Sequence, residues 1–332
     1  MKGKLAFMIA CGAMVLSGCT RLVFVRGHDS ATPQLYTMRA DGTEQVNLSQ
    51  TEFNSSFPDA SPDGSTVAFS SGVIAGGGVH NVYLMPASGG ARTQLTTGAF
   101  QKWAPRWGLR EYANRIVYSE SGTTGTRRLY LVSTDGAAQV LTNPGTDFSD
   151  TYADIYCSAL DDKYKVIFSR LNVLTGRSRL FTINVDGSNQ PGQLTKDIHD
   201  DEDMPVVSHD GRMVAYHAYS YSSDAPFEAV RVMSIDNWQR VSEFRLPIPQ
   251  LMNVRGIGWS RSDRKLYVSM ETSEVTDVHF IEERAEVFSM RPDGSERIRL
   301  TYNKIPDYWP NGIPCKPWWG FVCTMVDVFT GE

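Results

Sequence analysis

Short apolar runs separated by turn signals recur along the whole chain, and no apolar stripe of helical period reaches helix length. Three features follow one another in a fixed order. The first is a turn after a proline or aromatic residue. Its clearest copy is Pro58-Asp59-Ala60-Ser61-Pro62-Asp63-Gly64, where Pro62 presets φ, Asp63 suits the next turn position and Gly64 takes the positive φ that follows. Weaker copies are Pro105-Arg106-Trp107-Gly108, Tyr156-Cys157-Ser158 with Asp161-Asp162, Val207-Ser208-His209-Asp210-Gly211, Gly258-Trp259-Ser260-Arg261-Ser262-Asp263 and Pro306-Asp307-Tyr308-Trp309-Pro310-Asn311-Gly312. The second feature is a short apolar strand, as in Val67-Ala68-Phe69, Ile116-Val117-Tyr118, Val166-Ile167-Phe168, Val214-Ala215-Tyr216 and Leu266-Tyr267-Val268. The third is a hairpin with an Asp-Gly-type turn that ends near Leu-Thr, as in Leu129-Tyr130, Asp135-Gly136 and Leu141-Thr142.

The Asp-Gly turns run from Asp41 to Asp293 with a mean spacing of about 50 residues. Each unit supplies four strands: A before the first turn, B after it, then the hairpin C–D. Six such units predict an all-β, six-bladed β-propeller of four-stranded antiparallel blades. Five B strands lie between the A turns and the hairpins. The sixth is at the start of the chain, where Arg21 to Gly27 aligns with Thr66 to Gly72. The ring is therefore expected to close by pairing the C-terminal A strand with the N-terminal B, C and D strands, which leaves no open radial edge.

These repeats resemble the TolB-like, WD40-like propeller repeat, in which a Trp-Ser-Pro-Asp-Gly turn, an apolar strand and an Asp-Gly…Leu-Thr hairpin recur. The resemblance covers residues 21–312. It implies a propeller that receives a protein or peptide segment in a preformed top face and central funnel. The namesake of the family carries a further domain before its propeller, for which the stretch before Arg21 leaves no room, so the chain reads as TolB-like rather than as TolB.

The start of the chain has a different character. Lys2 and Lys4 precede an apolar run from Leu5 to Leu16, and small residues follow, so residues 1–18 read as a secretory signal. Leu16-Ser17-Gly18-Cys19 resembles a bacterial lipobox, which implies cleavage before Cys19 and lipidation of its sulfur. Thr20 stands where an Asp would hold an enterobacterial lipoprotein at the inner membrane, and this favours the outer membrane, with the propeller facing the periplasm or the cell surface. Residues 19–20 form the lipidated N-terminus, and residues 313–332 a C-terminal tail. Cleavage removes Lys2 and Lys4, so the formal charge moves from −5 to −7, which is no footprint for nucleic acid. No apolar run reaches the roughly 18 residues that a membrane span requires.

In a blade of this order the A–B and C–D turns lie on one face, the bottom, and the B–C and D–A loops on the other, the top. Cys19 precedes a B strand and so lies at the bottom. The propeller should sit close to the membrane with its top face outward. The tail leaves from the bottom too. Its aromatic Pro317-Trp318-Trp319 stretch caps the last blade or meets the lipid interface. Export favours a Cys315–Cys323 disulfide. Cys157 aligns with Ala60, Trp107, Val207, Trp259 and Tyr308, positions that pack between blades, and reads as a buried free thiol.

Five of the six histidines, His28, His80, His199, His217 and His279, fall in or beside top-face segments, but come from different blades. The acidic run Asp197-Ile198-His199-Asp200-Asp201-Glu202-Asp203 reads as a D–A loop. It is either a solvated rim that selects a basic segment or a Ca²⁺ or other divalent-cation site through His199, Asp200, Asp201 and Asp203. The long B–C stretches Ser220–Ala229 and Glu271–Ala285 break the average blade length, where binding specificity tends to be built. No Gly-x-Ser-x-Gly elbow or phosphate loop is present. The leading expectation is a monomeric, lipid-anchored envelope propeller with no cofactor, which binds a protein or peptide through His28, His80, Asp200, Asp201, Asp203, Tyr221 and Glu274. The alternatives are a metal-assisted polysaccharide lyase of the oligogalacturonide type and a carbohydrate-binding module.

Overall fold

The computed structural model describes residues 21–27, 32–49, 53–73, 78–158, 160–221, 226–246, 254–275, 281–303 and 305–313. They form six four-stranded antiparallel sheets and one short 3₁₀ turn, Arg110–Tyr112. Blade 1 contains β1 (Arg21–Arg26), β2 (Gln34–Arg39) and β3 (Val46–Asn47). Blade 2 is β4 (Phe53–Ala60), β5 (Thr66–Val73), β6 (Asn81–Pro86) and β7 (Thr93–Gln94). Blade 3 is β8 (Lys102–Trp107), β9 (Arg115–Ser121), β10 (Arg127–Ser133) and β11 (Ala138–Val140). Blade 4 is β12 (Phe148–Ser158), β13 (Lys163–Asn172), β14 (Arg177–Asn184) and β15 (Gly192–Gln193). Blade 5 is β16 (Asp200–Val207), β17 (Met213–Ser220), β18 (Phe227–Ser234) and β19 (Arg240–Leu246). Blade 6 is β20 (Val254–Trp259), β21 (Leu266–Val275), β22 (Ile281–Met290) and β23 (Ile298–Arg299). The last strand, β24 (Asp307–Ile313), pairs with β1 and completes blade 1, the closure that the repeat count requires.

The repeat residues have visible work to do. In the Ser61-Pro62-Asp63-Gly64 turn, Asp63 accepts from the Ser61 hydroxyl at 2.7 Å and from the Ser65 backbone N–H at 3.0 Å, while Gly64 has a φ of +67°. The Leu-Thr signal has an equally local cause. The D strands of blades 1, 2, 4 and 6 are only two residues long and that of blade 3 only three, so they cannot satisfy the whole edge of strand C. The Thr hydroxyl accepts the orphaned C-strand N–H instead: Val82 to Thr96, Leu129 to Thr142, Leu180 to Thr195 and Val287 to Thr301, all at 2.9–3.0 Å. Apolar faces pack between neighbouring blades, with Val117, Leu129, Ile155, Val166 and Phe168 in one cluster and Val230, Trp259, Val268 and Met290 in another.

The inner strands share a feature that the repeat pattern did not expose. Each breaks its ladder with strand B at a bulge near its middle, as between Ser56 and Asp59 or between Asp203 and Val206. In five of them the bulged residue is not glycine yet takes a φ of 46–52°: Phe57, Ala104, Tyr152, Met204 and Trp309. In four of the five a proline follows.

This register corrects four expectations. Trp309-Pro310 is the counterpart of Phe57-Pro58, so Asp307–Ile313 is an inner strand and not an A–B turn. The match at Pro306, Asp307, Pro310 and Gly312 lay four residues out of register, because inner strand and turn each carry a proline. Cys157 lies two residues beyond Ile155, the true counterpart of Ala60 and Trp107. The eleven-residue β12 carries it toward the bottom edge of the inter-blade cluster that holds Ile155 and Val166, where it is half-buried and disulfide-bonded rather than a buried free thiol. Its partner is one of the other four cysteines, all outside the described residues, as is the expected Cys315–Cys323 bridge. Asp200–Asp203 begin β16 and are not loop, and much of the Glu271–Ala285 stretch is an extended β21–β22 hairpin.

Candidate functional site: a top-face cavity beside a constricted axis

The six bulges meet on the propeller axis. Phe57, Ala104, Tyr152, Met204, Gly256 and Trp309, one from each inner strand, line a cavity of only about 20 Å³, room for about one water. The Phe57 and Trp309 ring centroids are 3.9 Å apart, and Phe57 meets Trp103 and Tyr152 edge-on at 6.0 and 6.2 Å. The expected central funnel is therefore constricted at this level to less than the width of a peptide.

Beside this ring the carboxylates stitch blade to blade. Asp59 accepts from the Trp107 backbone N–H at 2.6 Å and from Arg106 at 3.0 Å, and also takes a hydrogen bond from the Asn311 amide. Asp154 accepts the N–H groups of Ile155 and Val207, both at 2.8 Å. Burial pushes the Asp154 carboxyl up to about 7; Arg106 opposes the rise and the neighbouring Asp59 charge adds to it.

The space absent from the axis lies off it, on the top. A cavity of about 450 Å³ opens between blades 3, 4 and 5, with Arg127, Tyr152, Asp201, Asp203, His217 and Tyr221 among its walls. It adjoins a smaller pocket of about 100 Å³ that shares Arg127, Thr151 and Tyr152 and adds Trp103 and Phe57. Strand alternation places Asp201 and Asp203 on one side of β16, and β17 brings His217 opposite Asp203. Asp201 accepts from the Tyr221 hydroxyl at 2.7 Å and lies 3.3 Å from Arg179; the Arg177 guanidinium stacks 3.8 Å from the Tyr221 ring centre. His217 Nδ1 is 3.5 Å from Asp203 and Nε2 is 3.9 Å from Glu228. Burial by itself would lower the His217 pKa, but Asp203, Glu228 and Asp201 outweigh it and hold it above the ordinary histidine value. His217 Nε2 and the Ser169 hydroxyl are buried without a hydrogen-bond partner, Asp203 Oδ1 has only its 3.5 Å contact with His217, and all three residues line the cavity. Exposed apolar side chains stand in and next to its wall: Leu171 and Tyr221 line the cavity, Val173 and Leu174 follow Leu171 in the β13–β14 turn, and Ile198 precedes β16.

The candidates chosen from sequence divide accordingly. Asp201, Asp203 and Tyr221 come together at the cavity. Asp200 points to the opposite side of β16, away from the cavity, where it is buried against Arg231, which also holds Glu243 at 2.7 Å. His80 stands behind the site, its ring edge-on to Trp103 at 5.1 Å. His199 is exposed in the turn before β16, and alternation separates it from a common ligand sphere with the three aspartates. Among the described residues no group of three or more His, Cys, Asp or Glu is placed to hold a metal ion. Glu274 lies on β21 opposite Glu282 rather than in a loop. His28 and His279 lie outside the described residues. Sequence reasoning passed over Arg127, Trp103 and Tyr152. A signal was available only for the stretch that holds Trp103, in the repeated residue-proline pairs Phe57-Pro58, Ala104-Pro105, Met204-Pro205 and Trp309-Pro310; Tyr152 is followed by Ala153, and Arg127 lies on a C strand outside these pairs.

Solved structures place this architecture. TolB from Acinetobacter baumannii superimposes with a TM-score of 0.67 over 89% of this chain and 67% of its own, at 18% identity. The fold is that of a TolB-like propeller. Hydrazine synthase from Kuenenia stuttgartiensis gives the same TM-score, 0.67, over 92% of this chain and 48% of its own at 13% identity. Oligogalacturonate lyase from Vibrio parahaemolyticus gives 0.51 over 84% and 73% at 13% identity. No family model matches the sequence, and no curated protein does. At these identities the TolB-like likeness is one of fold, and that fold carries unrelated chemistries.

Proposed function

We propose that the chain is a lipid-anchored protein of the bacterial cell envelope that binds a protein or peptide partner on its top face, at the cavity between blades 3, 4 and 5. The observation that carries this reading is the pairing of a 450 Å³ cavity with an exposed apolar rim beside an axis constricted to about 20 Å³. Exposed apolar side chains around unsatisfied buried polar atoms are the composition of a binding patch rather than of a solvated surface. Asp201, Asp203 and Tyr221 are the contacts retained from the sequence, and His217 and the Leu171–Leu174 turn join them.

The anchor reading rests on the Leu16-Ser17-Gly18-Cys19 run, with Thr20 favouring the outer membrane. The described chain supports the orientation: Arg21 starts β1 at the bottom, opposite Ile313 and 3.2 Å from Glu44 beside the Asp41-Gly42 turn. A lipid on Cys19 leaves the top cavity facing away from the membrane.

The test is photo-crosslinking in intact cells that express the full chain. A crosslinking residue in place of Leu174 or Tyr221 should trap a discrete protein product, and one in place of Asp63 or Asp135 on the bottom should not. Products only from the bottom positions would overturn the reading.

A further inference from the structure

The 100 Å³ pocket at the inner end of the cavity has a one-sided chemistry. Its lining contains one cation, Arg127, and no acid. Among the described residues Arg127 forms no ion pair: its guanidinium lies over the Trp103 indole, 5.4 Å from the ring centre. The Trp103 Nε1–H is buried and donates to nothing. A buried indole N–H without an acceptor is costly, and the half-buried Arg127 guanidinium beside it faces no carboxylate in the lining, so an anion would complete the site. The volume is about five times that of the one-water cavity on the axis, enough for a carboxylate and the carbon that bears it. The inner end is closed by the Phe57 and Tyr152 rings, so a chain that enters cannot continue through the axis.

The outer cavity differs. It has room for a few residues, and Asp203 and His217 stand in its wall beside the rings of Tyr219 and Tyr221. A ligand matching this gradient is anionic at its buried tip, has backbone N–H groups and side chains behind it, and ends where the pocket ends.

We propose that the Arg127–Trp103 pocket binds the C-terminal carboxylate of a peptide whose preceding residues fill the outer cavity. This rests on the top face being the partner site and names which part of the partner it takes. Arg127 is the anion's charge partner, the Trp103 indole donates the second hydrogen bond, and the aromatic ring sets the depth.

The probe is a pool of N-acetylated tripeptides without Asp or Glu, prepared once with free C-terminal carboxylates and once as amides. The readout is the Trp103 indole N–H resonance of the ¹⁵N-labelled protein, identified with Trp103→Phe. The acid pool should shift this resonance saturably. The amide pool should bind at least about tenfold more weakly, the worth of a charge-assisted hydrogen-bond pair. Arg127→Gln should abolish the shift, with an otherwise unchanged spectrum showing that it folds, and Arg127→Lys should retain part of it. Equal shifts from both pools, no shift from the acid pool, or a shift from acetate that matches the pool's would overturn the proposal. Crosslinks from Leu174 without acid selectivity would mean that the partner docks by another segment. Acid selectivity without crosslinks would instead remove the envelope partner and leave the carboxylate pocket standing.

Discussion

Arg26 and Asp307 stand 281 residues apart in sequence and face each other across the seam of the ring, with Nε to Oδ1 at 2.8 Å and Nη2 to Oδ2 at 2.9 Å. The Asp307 side chain is wholly buried, and Asn303 donates to its second oxygen at 2.8 Å. The strand pair that closes the propeller is thus locked by a bidentate bridge and not by ladder bonds alone. Asp307→Ala leaves Arg26 without its partner in a mostly buried site. It should cost about 3–5 kcal/mol in chemical denaturation. A cost below about 1 kcal/mol would show that the seam holds without the bridge.

Asp154 makes stability depend on pH in an unusual direction. Its folded-state pKa lies at about 7, above the unfolded value, so the folded state keeps the proton longer. This contribution is fully present below about pH 4 and is lost as pH rises to about 7. Denaturation midpoints should therefore carry a downward component over that window, and Asp154→Asn should flatten it even if its absolute stability falls. An identical slope in both proteins would contradict the assignment.

Two glycines should separate close approach from backbone conformation. A Cβ on Gly258 would collide with the Pro310 carbonyl oxygen of the neighbouring inner strand, whereas Gly136 has φ +95° and open space around it. Gly258→Ala should cost about 3 kcal/mol or more by forcing blades 6 and 1 apart. Gly136→Ala should cost only about 1 kcal/mol, the penalty of a left-handed alanine. Thermal denaturation of the two variants gives the comparison.

The half-buried, disulfide-bonded Cys157 ties the bottom of blade 4 to a cysteine distant in sequence. Cys157→Ser and reduction of the wild type should each lower stability by about 2–4 kcal/mol, with no further effect when combined. Peptide mapping without reductant should recover Cys157 in a crosslinked pair; a free thiol there would contradict the structure.

Much of the ring was legible because its repeats carry local chemistry. Asp63, Asp135 and Asp293 cap their turns through bonds that reach two residues, so the sequence displays them as fixed Asp-Gly spacings. The strand-B run Arg21–Arg26 was readable as a missing sixth copy for the same reason. The site was less legible because it depends on register at the bulges. Tyr152 faces the axis through a φ of +49°, and neither an alternation rule nor a turn motif anticipates that at a non-glycine residue. Asp200 and Asp201 were equivalent members of an acidic run in sequence. Only their place on a strand separates the buried partner of Arg231 from the cavity wall. Arg127 gave no signal, since its isolation from acids is a fact of three blades together.

The most direct test of the account is the affinity of the crosslinked partner for purified variants. Leu174→Asp and Tyr221→Ala alter the rim and should each weaken binding about tenfold or more while leaving the denaturation curve in place. Asp63→Ala, on the bottom turn, should leave affinity unchanged. Full affinity in both rim variants with loss in Asp63→Ala would place the partner on the bottom face and contradict the account.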